Sequence, residues 1–401
     1  MGQQDEPMPW KKTEPMNQRV EFVLKAIAPC NFRALCAEYG IATKTGYKWK
    51  QRFMEKGLEG LEEENRRPHG SPEALAEWEV CEMVRLKERH RHWGPRKIQE
   101  LYRREHGKAP SESSFKRVLE RAGMVEKRRE RKAAEGGRIC SGRKAGAANE
   151  VWTVDFKGWW HDAGGKRCEP LTVRDEWSRY ILGSERMRDA KTETVWESFE
   201  RLFGRYGVPG SIRSDNGVPF ASVSGVLGLS RLSSRWVALG IDLERGRPGC
   251  PQDNGGHERM HRDLSKEVEQ ARGASTQAEL DVWREEFNEV RPHESLGMKS
   301  PGQVYTKSAK RYEGLPEGLD YGGMETRRIM RRGQLTWEGR SIFISAALAG
   351  WEVGLKPCGP GRWEVYFAQL RLGELEPHTE SFIVTQWGAK ETLEEPAKLI
   401  P

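Results

Sequence analysis

An aspartate inside an apolar run constrains the fold of this chain more than any other sequence feature. Asp155 interrupts the strand-like segment Val151–Phe156, where an unpaired buried carboxylate is costly. Asp215 ends another short apolar run, and Glu258 lies just inside a predicted helix, after a loop rich in Pro and Gly. Each carboxylate alone has a plainer interpretation, as a hydrogen-bonded strand residue, an ordinary turn or a helix-start charge respectively. Together they predict a divalent-metal site, because three carboxylates can hold two ions about 4 Å apart.

The charge of the chain predicts a polyanionic partner. Its 401 residues suggest two to four domains, and its net charge is +7. Residues 85–108 contain nine Lys and Arg against three Glu, and residues 126–150 contain eight against four. Such clusters are typical of nucleic-acid binding, although a solvated helix face and a linker would give the same pattern.

The cysteines and the hydropathy exclude several classes of protein. The seven cysteines are scattered with no Cys-x-x-Cys pair, so neither a disulfide framework nor a zinc finger is expected. The N-terminus has no apolar run like a signal peptide, and no stretch of 18 apolar residues occurs. We therefore expect a cytoplasmic, nucleoid-associated protein without a membrane span.

The N-terminal part predicts two α-helical helix-turn-helix units. In the first, residues 1–62, a helix at Phe32–Tyr39 is stopped by Gly40, and a third helix runs from Thr43 to Lys56. Tyr47 and Phe53 suit its core, and a plain three-helix bundle is the alternative. The side chains expected to face DNA from this helix are Lys44, Thr45, Lys48 and Arg52.

A second unit, residues 73–125, has the same helix-turn-helix pattern. Pro95 suits the first turn of one helix, and Ser111 can cap the next, which Gly123 stops. Lys116 and Arg117 lie on the outer side of that helix and are expected to contact DNA. Residues 126–150 are interpreted as a basic linker.

From residue 151 the pattern alternates between strands and helices and predicts a mixed α/β sheet. The predicted strands are 151–156, 169–174, 180–187, 211–214 and 241–243, and the predicted helices are 192–206, 254–271 and 276–289. Segment 221–240 is ambiguous and suggests a loop with a short helix. Short alternating runs within 325–388 predict a small C-terminal β-barrel, followed by a disordered tail at 389–401.

Four motifs carry a resemblance to a known family. They are Trp152-Thr-Val-Asp155-Phe, Ser214-Asp215-Asn-Gly217-x-Pro-Phe220, Arg247-Pro-x-x-Pro-Gln-x-Asn-Gly-x-x-Glu258-Arg-x-His261, and Phe287-Asn288-x-x-Arg291-Pro-His293-x-Ser-Leu296-Gly-x-x-Ser-Pro301. With them the chain resembles bacterial insertion-sequence DDE transposases, whose catalytic core is of the retroviral-integrase, RNase H-like type. The departures are a longer interval between the second and third carboxylates and Phe287, which stands where the family usually has Tyr.

The resemblance implies an RNase H-like catalytic core over residues 151–305, with a five-stranded sheet. It implies that Asp155, Asp215 and Glu258 are catalytic and hold two Mg²⁺ ions, for which Mn²⁺ can substitute. It further implies binding of terminal inverted repeats in double-stranded DNA, nicking of the 3′ ends and their transesterification into target DNA. The two ends must be brought together, so a homodimer or higher oligomer is expected.

Several residues around the motifs leave alternatives open. Arg262 and Lys266, one and two turns after Glu258, are expected to bind DNA, although they could be solvated charges. Asp253 competes with Glu258 but more readily caps the helix. The side chains of His257 and His261 are expected to pack or to touch DNA, because hard cations prefer oxygen. The pair Trp159-Trp160 is interpreted as core, with stacking on a displaced base as the alternative.

Two other functions fit parts of the sequence. A DNA-binding regulator with an inactive core would lack a member of the triad, and all three carboxylates are present. An RNase H-like nuclease or resolvase would not need the two helix-turn-helix units.

Overall fold

The structure is a computed structural model that describes residues 15–63, 75–125, 144–246, 254–269 and 276–385. Contacts within the chain divide it into two units, residues 1–76 and 77–401. Three sequence features lie outside the described residues: the predicted linker as far as residue 143, the loop 247–253 with Asp253, and the predicted tail 389–401. The domain limits drawn from the sequence stay predictions.

The first unit is a helix-turn-helix bundle. Its helices are α1 (Pro15–Ile27), α2 (Phe32–Glu38) and α3 (Thr43–Lys56). Asn31 caps α2 by accepting a hydrogen bond from the backbone of Ala34. Gly46 lets α3 approach α1 and α2, since a Cβ there would lie 2.7 Å from the Cys36 sulfur. The placement of Tyr47 in the core was wrong: its side chain is 60% exposed, and Trp49 fills the core instead.

A second three-helix bundle opens the larger unit. Its helices are α4 (Glu77–Arg89), α5 (Pro95–His106) and α6 (Glu112–Arg121). Pro95 is the first residue of α5, and Ser111 caps α6 by accepting from the backbone of Ser114, as expected. The buried side chains recur at helical spacing on all three helices: Met83, Leu86, Ile98, Leu101, Tyr102, Phe115 and Leu119.

Contacts of several kinds hold this bundle against the α/β core that follows. His90 Nδ1 lies 2.7 Å from Glu286, and Arg104 donates to the carbonyls of Val290 and Met298. The Arg291 guanidinium lies 5.5 Å from the centre of the Trp93 ring. The second helical bundle is therefore packed on the core by both charge and aromatic contacts.

The core is built on a mixed five-stranded sheet. Its strands, with a small hairpin formed by β2 and β3, are β1 (Val151–Phe156), β2 (Trp160–His161), β3 (Arg167–Cys168), β4 (Pro170–Asp175), β5 (Ile181–Arg186), β6 (Ser211–Ser214) and β7 (Asp242–Arg245). The order is β5-β4-β1-β6-β7. Strand β1 is antiparallel to β4 and parallel to β6, and β6 is parallel to β7. The mixed sheet predicted from the sequence is confirmed.

Four helices complete the core: α7 (Thr192–Tyr206), α8 (Arg231–Ala238), α9 (Gly255–Leu264) and α10 (Gln277–Glu285). The ambiguous segment 221–240 thus contains α8. Each of the last two helices continues into a π-helical turn, Ser265–Glu269 and Glu286–Val290 respectively. Rings of α7 and α8 pack over the sheet; for example, Phe199 and Trp236 have ring centres 4.8 Å apart.

Seven short strands follow: β8 (Glu325–Arg328), β9 (Gln334–Trp337), β10 (Arg340–Phe343), β11 (Glu352–Gly359), β12 (Arg362–Phe367), β13 (Leu370–Glu376) and β14 (Ser381–Val384). Five of them form a sheet in the order β14-β13-β12-β11-β8, and β9 pairs with β10 as a hairpin. The predicted closed barrel is not confirmed, because β14 and β8 lie at opposite edges of this sheet. The apolar face of the sheet shares one hydrophobic cluster with Val237 of α8.

Candidate active site

Two neighbouring parallel strands bring the first two carboxylates to one edge of the sheet. In the register of β1 with β6, Thr153 pairs with Arg213. Asp155 and Asp215 each follow two positions later, so they leave the sheet at the same edge. Parallel neighbours lie about 5 Å apart, which keeps the two backbones close there. Glu258 comes from the first turn of α9, which contacts β1.

The electrostatics of Asp155 reflect this convergence. Its side chain is 30% exposed, and the pKa of its carboxyl is raised to about 7. Burial is the largest cause; the negative charges of Asp215 and, more weakly, Glu258 act in the same direction, and a hydrogen bond from the Phe156 backbone opposes them. Burial and the two neighbouring carboxylates therefore favour the protonated form of Asp155.

Two buried histidines fix α9 on the sheet. His257 lies between Thr153 of β1 and Thr172 of β4, at 2.9 Å and 2.7 Å. His261, one turn later, lies 2.7 Å from the same Thr172 hydroxyl. Burial lowers the pKa of both imidazoles, that of His261 to about 3, so both rings are neutral. Helix α9 thus carries Glu258 on its exposed side while its opposite side is bonded to two strands.

The hydroxyl proton of Thr172 decides the tautomers of these histidines. Thr172 donates to the Asp155 carbonyl at 3.0 Å, which can only accept. The consistent assignment has both imidazoles donating Nε2–H to the Thr172 oxygen. His261 Nδ1 is then an unprotonated acceptor, 3.8 Å from Asp155 Oδ2. The expectation that these histidines pack is confirmed, and one of them borders the carboxylate site.

The loop after Asp215 is held by its own polar contacts. Gly217 N–H donates to Asp215 Oδ1 at 3.1 Å, and a Cβ on Gly217 would lie 2.9 Å from Asp215 Oδ2. Arg245 of β7 is half-buried and donates to the carbonyls of Phe220 and Gly228. Burial lowers the pKa of its guanidinium, and the negative charge of Asp215 opposes that shift, so the two side chains are electrostatically coupled. Sequence reasoning missed Arg245, since its pattern was that of an ordinary strand end.

The candidate ligands do not meet at a single point. Among the described residues, one group of three acidic or histidine side chains has ligand atoms all within 4.8 Å of one another: Glu82, Glu105 and His106. Arg85 already pairs with both of its carboxylates and offsets part of their charge. The triad Asp155, Asp215 and Glu258 is not such a group.

The predicted DNA-contacting residues are distributed over three helices. On α3, Lys44 and Lys48 are exposed, and Thr45 and Arg52 are half-buried. Lys48 and Arg52 lie against the Trp49 ring, at 4.5 Å and 5.6 Å from its centre. On α6, Lys116 and Arg117 are exposed. Glu258, Arg262 and Lys266 are all exposed along α9 and its π-helical continuation, which places both cations on the carboxylate side.

The last sequence motif stabilises the core and does not line the carboxylates. Asn288 exchanges two hydrogen bonds with the Ile181 backbone, at 2.8 Å and 2.9 Å. Arg291 is buried and pairs with Asp263 and Glu267, which follow Glu258 on the same helical segment. The motif therefore fixes the far end of the segment that carries the third carboxylate.

Within the described ranges, none of the helices has the length and the apolar character that a membrane span requires.

The fold is that of a helix-turn-helix protein with an integrase-like α/β core. A homeodomain-like domain model matches residues 45–119, and an integrase core domain model matches residues 239–301. The first match covers parts of both helical bundles, and the second includes Glu258.

Two curated proteins of insertion elements are similar over much of their length. The uncharacterized 31.7 kDa protein of insertion element IS407 from Burkholderia multivorans is 27% identical over 250 residues, which are 60% of this chain and 84% of that protein. The uncharacterized 39.2 kDa protein of insertion element IS476 from Xanthomonas euvesicatoria is 26% identical over 253 residues, 61% of this chain and 70% of that protein. The matches confirm the resemblance to insertion-sequence transposases with an integrase-type core.

Among solved structures, the catalytic core domain of BIV integrase aligns at 23% identity with a TM-score of 0.31. The alignment covers 39% of this chain and 93% of that domain.

Proposed function

We propose that this protein is a DDE transposase that binds the terminal inverted repeats of an insertion element, nicks their 3′ ends and joins them to target DNA. The observation that carries the proposal is the parallel register of β1 and β6, which brings Asp155 and Asp215 to the same end of the sheet, next to the helix that carries Glu258. Three carboxylates near one another, one of them with a raised pKa, favour a metal-dependent reaction. The net positive charge of the chain favours a polyanionic substrate such as DNA.

The donor set fits hard divalent cations. Asp155 feels the charges of Asp215 and Glu258, yet the three side chains do not share one point within 4.8 Å. Asp155, Asp215 and Glu258 would together hold two Mg²⁺ ions, or Mn²⁺ in their place. When bound, the pair of ions supplies a nucleophilic water or hydroxyl and stabilises the leaving oxygen of an in-line displacement.

The residues around the site position the metal ligands and supply positive charge for binding DNA. Asp155 must be ionised to act as a ligand, and His261 and Thr172 hold the backbone around it. Arg262 and Lys266 extend from the Glu258 side of α9 toward the phosphates of bound DNA. The helical bundles bind the element ends, and bringing two ends together requires a homodimer or larger assembly on the DNA. An association with the bacterial nucleoid follows from such binding.

A strand-transfer assay tests the proposal. Labelled duplexes carrying the repeats that flank the gene are incubated with the full chain, plasmid target and Mg²⁺ or Mn²⁺. We expect nicking at the 3′ ends and joined products that require the metal. Asp155→Asn should abolish both while leaving the Kd for end DNA nearly unchanged.

The matched control is Asp242→Asn. Asp242 is also exposed on this sheet but pairs with Ser211, at the opposite end of β6. We expect full activity from this variant. Specific binding of end DNA without nicking by the wild type would favour a regulator with an inactive core. Metal-dependent cutting with no joined product and no preference for end DNA would favour a nuclease.

A further inference from the structure

The hairpin after β1 presents an indole ring to solvent next to the carboxylate edge. Of the two consecutive tryptophans, Trp160 is buried, whereas Trp159 is 56% exposed. The interpretation of both residues as core is therefore right for Trp160 and wrong for Trp159. The indole ring of Trp has an apolar body and a polar N–H, and exposed Trp rings are enriched at binding interfaces.

The surroundings of Trp159 are cationic and polar. The Arg167 guanidinium lies 5.2 Å from the centre of the indole ring, and His161 meets the ring edge-on at 5.2 Å. Arg167 also pairs with Glu169, which orients its planar group. A planar aromatic ring beside an oriented guanidinium is the combination that stacks on nucleobases and attracts the adjoining phosphates.

The chain geometry places this ring near the candidate active site. Trp159 follows Asp155 by four residues, which span at most about 14 Å when extended. The base of the hairpin is fixed beside the π-helical turn that follows α9, because Lys157 pairs with Glu269 at 3.5 Å. It is also fixed to β4, because the Lys157 backbone donates to the Pro170 carbonyl. Successive phosphates of one strand are about 3.4 Å apart along the duplex, so the ring is within roughly four nucleotides of a phosphate held at Asp155.

We propose that Trp159 stacks on an unpaired base of the DNA strand that is cut, with Arg167 holding the stacked ring and the neighbouring phosphate. This inference rests on the proposed function, because it assumes that DNA occupies the carboxylate site. Bases inside an intact duplex are already stacked on both faces. The ring therefore recognises a base that is frayed or flanks a nick, and it fixes the position of the scissile phosphate.

The experiment measures stacking without chemistry. Full-length Asp155→Asn protein is mixed with an end-repeat duplex that carries an unpaired three-nucleotide flank containing 2-aminopurine, and with the same duplex fully paired. We expect quenching of 2-aminopurine on the flanked DNA only. Adding Trp159→Ala should remove the quenching and raise the Kd for flanked DNA by roughly 5- to 150-fold, the ratio for about 1–3 kcal/mol per stacked base. Trp159→Phe should restore much of both.

Trp177→Ala is the matched control. Trp177 is also exposed, at 39%, but it lies beyond Asp175, which pairs with Trp152 at the opposite end of β1. We expect no change in quenching or Kd. All variants are compared by Tm, because Trp159 and Arg167 could simply stabilise the hairpin as a cross-strand pair.

Three results would overturn the stacking proposal: unchanged quenching in Trp159→Ala, a fall in Tm with an unchanged Kd, or a change confined to the sedimentation of DNA-free protein, which would make the ring a contact between copies. Failure of the proposed function has a different signature. In that case the wild type neither nicks nor joins end DNA, whatever the result of the quenching assay.

Discussion

At the scale of single residues, Asp155 combines a functional position with an unfavourable environment. Its pKa of about 7 means that the metal-free protein takes up a proton there that the unfolded chain, with an ordinary Asp pKa near 4, does not. The folded state therefore gains stability from the protonated carboxyl below pH 4 and loses that gain as the pH rises to about 7. Cations bound at the site would offset both the burial of this charge and its repulsion by Asp215 and Glu258.

Asp155→Asn tests this balance directly. In EDTA at pH 8 we expect the Asn variant to be more stable than the wild type, because it has no charge to bury beside Asp215 and Glu258. The difference should shrink toward pH 5, where the wild-type carboxyl is mostly protonated. Chemical unfolding at several pH values measures it. Mg²⁺ at pH 8 should raise the Tm of the wild type and leave that of Asp155→Asn nearly unchanged.

A wild type that is more stable than Asp155→Asn at every pH in EDTA would mean that the carboxylate makes favourable contacts that outweigh the repulsion. The buried histidines add an opposite pH dependence to both proteins, because the unfolded chain binds protons below about pH 6.5 that neutral His257 and His261 do not. Comparing the two proteins at each pH cancels this contribution.

A substitution of Thr172 is predicted to change both the stability of the protein and its nicking rate. Thr172→Val keeps the shape of the side chain but leaves the Nε2–H groups of His257 and His261 without an acceptor, at a cost of roughly 1–3 kcal/mol for each. Urea unfolding should show this loss. Under conditions where the protein stays folded, nicking should slow because α9 and Glu258 lose their fixed position, while the Kd for end DNA stays the same.

Thr194→Val provides the comparison for Thr172→Val. Thr194 is also buried, and its hydroxyl donates to Asp189 at 2.7 Å near the start of α7. We expect lost stability without a change in the nicking rate of the folded protein. Equal effects of the two substitutions on nicking would reduce Thr172 to a general stabilising role.

At the scale of elements, α9 has two faces with different tasks. One face carries His257 and His261 into the sheet, and the exposed face carries Glu258, Arg262 and Lys266. The exposed cations follow the carboxylate at offsets of four and eight residues, so they lie on the same side of the helical segment as Glu258. The π-helical turn that contains Lys266 was not predicted, because a single extra residue per turn leaves no mark on the apolar pattern.

Removing both cations separates DNA binding from folding. Arg262→Ala/Lys266→Ala should keep its Tm within the small range of surface changes but lose strand transfer and part of its affinity for DNA. The log–log dependence of affinity on salt should become shallower by about 0.9 for each phosphate that the variant no longer binds. Arg201→Ala/Arg205→Ala, the same spacing on the exposed side of α7, is the control and should leave all three measurements unchanged. A large fall in Tm with unaltered affinity would make the α9 pair structural.

The elements also show what sequence patterns can and cannot specify. Strand β1 was predicted with its observed limits, because its apolar run is bounded on both sides in the sequence. The structure buries the first four residues of this run. Tyr47 was misplaced because Tyr47 and Trp49 lie on nearly opposite sides of α3, about 200° apart, and the side that packs against α1 is the one that carries Trp49. The histidine–threonine network joins residues up to 104 positions apart, and a local sequence pattern cannot predict a contact between such distant residues.

At the scale of the whole molecule, several separate surfaces should each contribute to the free energy of DNA binding. The α6 cations Lys116 and Arg117 belong to a bundle that packs on the core, whereas Lys44 and Lys48 belong to the other unit. We expect Lys116→Ala/Arg117→Ala in the full chain to weaken binding and to reduce the salt slope by about 1 for each phosphate that these side chains bind. If these residues read bases instead, the preference for end DNA over random DNA would fall while the slope stayed nearly constant.

Gel-shift titrations of end and random duplexes at several salt concentrations distinguish these cases, with Arg201→Ala/Arg205→Ala again as the charge-matched control. Unchanged affinity for both duplexes would exclude α6 from the DNA interface. Comparison with Lys44→Ala/Lys48→Ala then shows how much each helical bundle contributes to the affinity for DNA.

The C-terminal sheet shares its hydrophobic cluster with the core through Val226, Leu229 and Val237. A copy of the gene that acquires a stop codon after residue 320 would leave this part of the core uncovered. We expect its product to aggregate or to be degraded. Late truncations should therefore behave as null alleles, and a decayed copy would not interfere with an intact one in the same cell.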